Sequence, residues 1–453
     1  MKSFDLIVIG AGAGLNVAAE AAEKGLKTAI IEKGPLGGTC LNRGCIPSKI
    51  VIHSAEVADT VNNTSPFGLK AKLQSVNFKK VTDRANNSVD SDSRNIEKSL
   101  RSGKNPMLFK GKAEFVDQKT LQINGQKITG EKIVIAVGAR PFIPPIEGID
   151  DVPYMTSKEA LRQTKLPKSM IIFGGGYIGV ELGHFYAALG CKITVVQKSP
   201  LLLPREDQEV ATLFTKIWKN KYNVLTNSNA LKVARKGNNV IAYVKTGSKT
   251  KKYVAEKLLV ATGIKANTDI LKIENSGVEI TERGFIKVNK FMETNVKNIW
   301  ALGDIAGVYF FRHSANLEAD YVLNNILGKK QAVDYHPMPH AVFTDPQIAG
   351  VGLTEQEARK SGKNFVVGKY EYKNTGMGEA LEEEHGFVKI IVNPKTKEIL
   401  GCHIIGPHAS ILLHEVTIAM KCGKNGLDLL RKTVHVHPAL SEVVSRAAWN
   451  VDA

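Results

Sequence analysis

Cysteine is scarce in this chain: there are five (Cys40, Cys45, Cys191, Cys402 and Cys422) in 453 residues. That count and spacing exclude the disulfide framework that holds small secreted domains together. No further Cys or His stands at ligand spacing from Cys40 and Cys45, so no metal site is expected. No uninterrupted apolar run reaches the roughly 20 residues of a transmembrane helix. The opening Phe4-Asp5-Leu6-Ile7-Val8-Ile9 is not read as a secretory signal, because Asp5 interrupts it and glycines follow. The expectation is a cytoplasmic protein with no membrane partner. Zinc-finger and RNA-binding patterns are missing too.

The bulk composition, 43% hydrophobic and 23% charged, is that of a soluble globular chain of two to four domains. The charge balance is lopsided at +17. Such a surplus suits anionic ligands, an acidic partner or weak nucleic-acid attraction. A Lys-rich solvated surface is the simpler reading, and no nucleic-acid partner is expected.

Two of the cysteines lie five positions apart in Gly37-Gly38-Thr39-Cys40-Leu41-Asn42-Arg43-Gly44-Cys45-Ile46-Pro47-Ser48-Lys49. In a straight helix five residues rise about 7.5 Å, beyond the usual Cα reach of a disulfide. The pair closes only if the chain bends, and Asn42-Arg43-Gly44 allows the bend. Pro47 suits the first turn of a following helix. Cys45 then sits at that helix's positive end, where a thiolate is stabilised. These features point to a redox-active disulfide rather than a static staple.

Residues 4 to 9 read as a buried strand, Leu15 to Lys24 as a helix, and Lys27 to Ile31 as a second strand ending at Glu32. The intervening Gly10-Ala11-Gly12-Ala13-Gly14-Leu15 is a dinucleotide-binding turn. Gly10 makes the bend, Gly12 admits a pyrophosphate, and the helix N-terminus stabilises its charge. Glu32, 22 residues after Gly10, is placed to accept from a ribose. Leu15 stands where the third glycine is expected, so either the helix packs differently there or Gly14 takes over the role. The pattern repeats at Ser169 to Phe173, Gly174-Gly175-Gly176-Tyr177-Ile178-Gly179, a helix Val180 to Leu189, and a strand Lys192 to Val196. Two such turns imply two dinucleotides. The second strand ends in Gln197-Lys198 rather than an acid, which tolerates NADP, whereas Gly179 is more typical of an NAD-type turn. The choice stays open between them. Lys257 to Ala261 closes this domain at Thr262-Gly263. A later strand, Asn298 to Leu302, ends in Gly303-Asp304, an acid suited to a flavin ribityl chain. Val61 to Lys104 reads as polar and mostly helical, without assignable chemistry. Near the C-terminus, His435-Val436-His437-Pro438-Ala439-Leu440-Ser441-Glu442 offers His437 and Glu442 as an oriented acid–base dyad.

With these motifs in this order, the sequence resembles the FAD-dependent pyridine nucleotide–disulfide oxidoreductases over nearly its full length. The Cys-Ile-Pro-Ser-Lys form looks most like the dihydrolipoamide dehydrogenases. Phe343-Thr344-Asp345-Pro346-Gln347 and Leu15 also look like mycothione reductases. The resemblance implies an α/β fold. An FAD domain (1–147 and 268–335) is split by an NAD(P) domain (148–267) and followed by an α+β dimerisation domain (336–453). It implies a homodimer in which His437 serves the partner's active site. It further implies that Lys33, Thr39, Lys49, Ala113 and Gly138 belong to the flavin site, that Tyr177, Ile178, Glu181 and Gly263 belong to the nicotinamide side, and that Lys49 pairs with Glu181. In the implied mechanism electrons pass between nicotinamide, flavin, Cys45, Cys40 and a substrate dithiol or disulfide. The implied substrate is a dihydrolipoyl group, with a small thiol disulfide of mycothione or bis-γ-glutamylcystine type, reduced by NADPH, as the alternative. Three positions depart from the pattern. Arg43 stands between the cysteines, where its charge would favour the thiolate or attract an anionic substrate. Ile264 and Ala266 replace the customary Arg and Pro. A mercuric reductase is disfavoured by the lack of a C-terminal cysteine pair. A glutathione reductase is disfavoured by Ile46-Pro47-Ser48-Lys49.

Overall fold

The apolar run near the start of the chain becomes a strand, Lys2–Ile9, in the middle of a seven-stranded sheet. Thr28–Glu32 and Gln126–Ile135 flank it, both parallel to it. Met107–Lys110 continues the parallel set beyond Thr28–Glu32. Besides Lys2–Ile9, Gln126–Ile135 serves two further partners. Its first half runs antiparallel to Thr120–Ile123, and its second half runs parallel to Ile299–Ala301. Ala113–Phe115 completes the antiparallel edge. Successive strand side chains point to opposite faces. Leu6 and Val8 therefore join one core with helices Gly14–Glu23 and Arg312–Ile326, while Ile7 and Ile9 join another with Phe115, Ile133 and Ile135. A strand covered on both faces reads as a continuous apolar run, and each such Leu or Ile contributes about 1.5–3 kcal/mol by its burial.

The computed structural model describes residues 1–452 and resolves into two units. The sheet just described lies in the first, made of Met1–Ile50, Lys79–Phe142 and Gly263–Tyr335. The second contains Val51–Phe78, Ile143–Thr262 and the residues from His336 on.

In the second unit a five-stranded parallel sheet runs in the order Asn223–Leu225, Lys192–Val196, Ser169–Phe173, Lys257–Val260, Tyr154–Met155. An antiparallel sheet of Ser228–Lys236, Asn239–Thr246 and Lys249–Ala255 shares its core, with Val233, Ala242 and Val244 packed among Ile171, Phe173 and Val260. The C-terminal part of this unit is a five-stranded antiparallel sheet whose inner strands, Phe387–Val392 and Ile399–Ile405, are buried throughout. Helices Ala409–Lys421, Gly426–Lys432 and Ser441–Trp449 cover it. The molecule is thus mixed α/β, with parallel strands around both glycine turns and an α+β C-terminal part.

The expected elements form with small shifts. The helix expected from Val180 starts at Tyr177, since Gly179 lies inside it. Of the stretch read as mostly helical from Val61, the regular part is Phe78–Ser102, preceded by the last residues of the helix Cys45–Asn62 and the short turn Ser65–Phe67. No helix among the described residues is long and apolar enough to cross a membrane.

Candidate active site

Glycine shapes the segment that carries the two cysteines. Gly37 and Gly38 have φ of 93° and 67°, a region that side chains disfavour. At Gly38 a Cβ would also lie 2.7 Å from the Cα of Gly12, so the close approach of these two backbones needs glycine. From Gly38 a short helix runs to Arg43, pinned by Asn42, whose Nδ2 donates to the carbonyls of Leu36 and Gly38 at 2.8 and 2.9 Å. Gly44 breaks it, and a new helix, Cys45–Asn62, starts at the second cysteine. The bend expected between the cysteines is therefore present, with Pro47 in the first turn. Both sulfurs are free thiols, half-buried at Cys40 and exposed at Cys45. The structure thus describes the dithiol form of a pair expected to open and close during turnover. The thiols hydrogen-bond to each other, which together with burial pushes the Cys40 thiol far above its usual range, while Arg312 pulls in the opposite direction.

Arg312 was not legible from the sequence. It heads the helix Arg312–Ile326, and its Nη1 would lie 4.0 Å from a Cβ on Gly12. Arg43, expected to favour the thiolate or to attract an anionic substrate, reaches the neighbourhood of Gly34 and Lys33.

The first dinucleotide turn sits at the carboxyl end of Lys2–Ile9, between the parallel strands Thr28–Glu32 and Gln126–Ile135, and the carboxyl ends of the strands are where an open α/β sheet binds its ligand. Gly10 has φ of 104°, and a Cβ there would strike the Ala136 carbonyl oxygen at 2.4 Å. Gly14 takes the close-packing role that Leu15 cannot: a Cβ on it would come within 2.8 Å of Val8 and 2.9 Å of Ala136. Glu32 accepts from the Ala11 N–H at 2.9 Å and the Gly34 N–H at 2.7 Å. Burial lowers the Lys33 pKa, with Arg140, Arg43 and Lys112 adding to the effect and Glu32 opposing it. Asp304 is half-buried, its carboxyl pushed up to about 6 by burial, and no described residue hydrogen-bonds to it. A glycine cradle, a fixed carboxylate and an unanswered buried acid fit a dinucleotide with a polyhydroxyl chain. Thr39, Lys49, Ala113 and Gly138 fall in this same unit, as do both cysteines. Gly263, expected on the nicotinamide side, belongs to it as well, its carbonyl accepting from Phe142 N–H at 2.9 Å.

The second turn repeats the first. Gly174 has φ of 102°, and a Cβ there would lie 2.3 Å from the Ala261 oxygen. At Gly179 a Cβ would meet the Gly174 oxygen at 2.0 Å, whereas Gly176 faces open space. Ile178 and Lys198 are exposed. Glu181 is buried and accepts from the Phe343 N–H at 3.1 Å. Tyr177, the first residue of the helix, donates its phenol to Glu206, and His340 Nε2 lies 2.8 Å from the other oxygen of the same carboxylate. This triplet around the buried Glu206 was not legible from the sequence, because Glu206 and His340 carry no motif and lie 134 positions apart.

In the C-terminal part, His437 Nδ1 lies 3.0 and 3.1 Å from the two oxygens of Glu442. The hydrogen bond to His437 holds the Glu442 carboxyl below its usual range. A second His–carboxylate pair, His435 with Glu415 at 3.3 Å, stands two residues upstream and was not expected.

Two glycine turns at two parallel sheets, a vicinal dithiol and a His–Glu dyad define a flavin- and nicotinamide-linked disulfide oxidoreductase. Residues 4–320 match the family model of the pyridine nucleotide-disulphide oxidoreductases, residues 338–448 match that family's dimerisation domain, and the chain belongs to this family. It is 36% identical to a dihydrolipoyl dehydrogenase of Thermus scotoductus over 456 residues, 99% of this chain and 97% of the relative. It is 35% identical to a mycothione reductase of Mycobacterium tuberculosis, covering 99% of each. Among solved structures, a Cu(II) complex of the HOCl-induced flavoprotein disulfide reductase RclA from Escherichia coli superposes with a TM-score of 0.89 at 29% identity, with 99% of each chain covered. FAD and NAD(P)H are the cofactors of this family.

Proposed function

We propose that the chain passes electron pairs between a nicotinamide nucleotide and a substrate dithiol through Cys40 and Cys45, with dihydrolipoyl groups as the substrate class. The chain is organised for this as an FAD domain (1–147 and 268–335), an NAD(P) domain (148–267) and a dimerisation domain (336–453). It works as a homodimer in the cytoplasm. The FAD site is formed by Gly10, Gly12, Gly14, Glu32, Lys33, Thr39, Lys49, Ala113, Gly138 and Asp304. Gly174, Gly176, Tyr177, Ile178, Gly179, Glu181, Gln197, Lys198 and Gly263 serve the nicotinamide nucleotide. Bound FAD supplies the two-electron carrier between nicotinamide and dithiol.

The steps on this chain's own atoms follow thiol–disulfide exchange. His437, oriented by Glu442 and serving the cysteine pair of the other protomer, takes the proton of one substrate thiol. The resulting thiolate attacks the Cys40 sulfur of the oxidised pair. A substrate–Cys40 disulfide forms, the Cys40–Cys45 bond breaks, and the Cys45 thiolate leaves at the N-terminus of its helix. His437 releases that first proton to solvent, then takes the proton of the second substrate thiol as its sulfur displaces Cys40 and closes the substrate disulfide, and passes this proton to the Cys40 thiolate. The substrate is oxidised by two electrons, which now reside on the Cys40–Cys45 pair. The reverse sequence reduces a disulfide.

The observation that carries this reading is the backbone contact of Gly38 with Gly12, which sets the first turn of the cysteine helix against the first dinucleotide turn. A steady-state assay with dihydrolipoamide and each oxidised nicotinamide tests it, and negligible turnover with both removes dihydrolipoyl groups as the substrate. A second reading, NADPH-linked reduction of a low-molecular-weight disulfide of mycothione or bis-γ-glutamylcystine type, is favoured by Gln197-Lys198. A panel of such disulfides separates the two.

A further inference from the structure

The chain contains its own comparison for nucleotide choice, because its two dinucleotide turns share the glycine bend and carry different groups at the end of the second strand. In the first, the residue at the end of the second strand is Glu32, whose Oε2 accepts from the Ala11 N–H at 2.9 Å. In the second, the equivalent residue is Gln197, whose Oε1 accepts from the Gly175 N–H at 3.1 Å. Ala11 and Gly175 each follow the bend glycine, Gly10 and Gly174. The Gln197 amide is buried and locked in orientation, since its Nε2 donates to the Leu201 carbonyl at 3.3 Å. It holds the station that an acid holds in the first fold, with the same contact to the turn and without the charge.

The surrounding loop shows the same bias. Residues 197 to 207 return to the turn, where the Leu203 N–H donates to the Gly175 carbonyl at 2.8 Å. A Cβ on Gly175 would strike Leu202 at 2.3 Å, so this packing needs glycine there. The loop carries two carboxylates, both buried and already answered: Glu206 by Tyr177 and His340, Asp207 by Lys389 at 2.6 Å. It also carries two cations, Lys198 and Arg205. Both are exposed, and neither pairs with a described carboxylate. The field presented to a ribose at this turn is therefore positive. A carboxylate at the strand end accepts from a ribose 2′-OH and repels a 2′-phosphate, whereas a neutral residue with cations nearby does the reverse.

We propose that the second dinucleotide site is selective for NADP(H), with Gln197 as the residue that removes the repulsion and Lys198 and Arg205 as the cations that meet the 2′-phosphate. This rests on the oxidoreductase reading above and deepens it. An NADPH-linked site suits the reductive direction, in which two electrons from the reduced nicotinamide end on the two sulfurs of a substrate disulfide. One ligand class then discriminates at this site by a single phosphate, and the selectivity falls with added salt because the contacts are exposed.

The test uses the flavin-loaded enzyme and measures binding by isothermal titration, with NADP+, NAD+, 2′,5′-ADP and 5′-AMP as probes. The expected result is NADP+ bound at least about tenfold more tightly than NAD+, about 1.4 kcal/mol, and 2′,5′-ADP more tightly than 5′-AMP by a similar factor. Lys198→Ala should weaken 2′,5′-ADP and leave 5′-AMP unchanged. Gln197→Glu should reverse the preference. NAD+ bound as tightly as NADP+, or 2′,5′-ADP indifferent to Lys198→Ala, would overturn the proposal while leaving the oxidoreductase reading intact. Binding of neither nucleotide, in protein that still retains flavin, would overturn both.

Discussion

The Nδ1 of His437 stands 3.0 Å from a Glu442 oxygen, while 76% of the histidine side-chain surface is exposed and only 15% of the glutamate's. A ring so open, anchored by one nitrogen to a shielded carboxylate, presents its Nε2 outward in a fixed orientation. Glu442 is itself held by the Ala439 N–H at 3.2 Å, so the dyad is fixed at its base. General acid–base groups contribute roughly 10²–10⁴-fold to a rate. His437→Gln should therefore slow dithiol–disulfide exchange by a factor in that range, while reduction of the flavin by nicotinamide proceeds at its normal rate. Rapid-mixing absorbance separates the two half-reactions. Near-normal exchange in the variant would remove His437 from the proton path.

Cys45→Ser should abolish turnover with any dithiol or disulfide while the protein stays yellow, because Gly10, Glu32 and Asp304 are untouched. Loss of flavin together with activity would mean that the cysteine segment is structural. The absorbance ratio at the flavin and protein bands is sufficient to decide it.

Arg312 offers a more graded change. Its charge opposes the two influences that raise the Cys40 pKa, namely the hydrogen bond to Cys45 and burial. Removing the cation disfavours the thiolate. In Arg312→Met the pH profile for alkylation of the reduced enzyme by iodoacetamide should move to higher pH, with the plateau rate unchanged. An unmoved profile would show that Arg312 acts elsewhere.

Much of this was legible in the sequence because the information is local. The glycine turns, Glu32, the bend at Gly44 and the His437–Glu442 spacing each lie within one short segment or at a fixed offset from one. The Leu15 position left two outcomes open, a differently packed helix or Gly14 in the missing glycine's place, and the fold takes the second. What escaped depends on chain segments far apart in sequence. Arg312 reaches the cysteines from a helix some 270 positions downstream. His340 meets Glu206 across a gap of 134. Arg43 could be noticed as unusual from its type, but its direction is set by Gly34 and Lys33, whose placement only the fold defines.

The Glu206 carboxylate is buried, and it is kept ionised by the hydrogen bonds from His340 and Tyr177 against the cost of desolvation. Its folded pKa lies below its unfolded one, near 4.3. Its contribution is therefore present in full above that value and is lost as pH falls through the folded pKa. Hydrogen bonds to a charged group are worth about 1.5–3 kcal/mol. Tyr177→Phe should lower stability by an amount in that range at pH 7, and the deficit should shrink on acidification below about pH 4. Because Tyr177 and His340 share one carboxylate, Tyr177→Phe and His340→Phe should combine non-additively. Denaturant titrations of the single and double variants measure this, and strict additivity would argue that the triplet is not a unit.

Asp304 has the opposite sign. Burial raises its carboxyl from an ordinary 3.8 to about 6, and no described residue answers it. In the flavin-free protein the folded state holds this proton more tightly than the unfolded chain does. The folded state is therefore not penalised below pH 3.8, loses stability as pH rises from there to about 6, and carries the full penalty above. Two pKa units correspond to up to about 3 kcal/mol. A hydroxyl donor from a bound ribityl chain would relieve that penalty, which ties cofactor retention to the same carboxylate. Asp304→Asn should therefore be more stable than the parent when both are stripped of flavin at pH 7.5, should lose that advantage near pH 4, and should release FAD more readily. Thermal unfolding of stripped and loaded protein at the two pH values tests all three at once. An asparagine variant that is destabilised without flavin at pH 7.5 would mean that Asp304 supports the fold directly rather than waiting on a ligand.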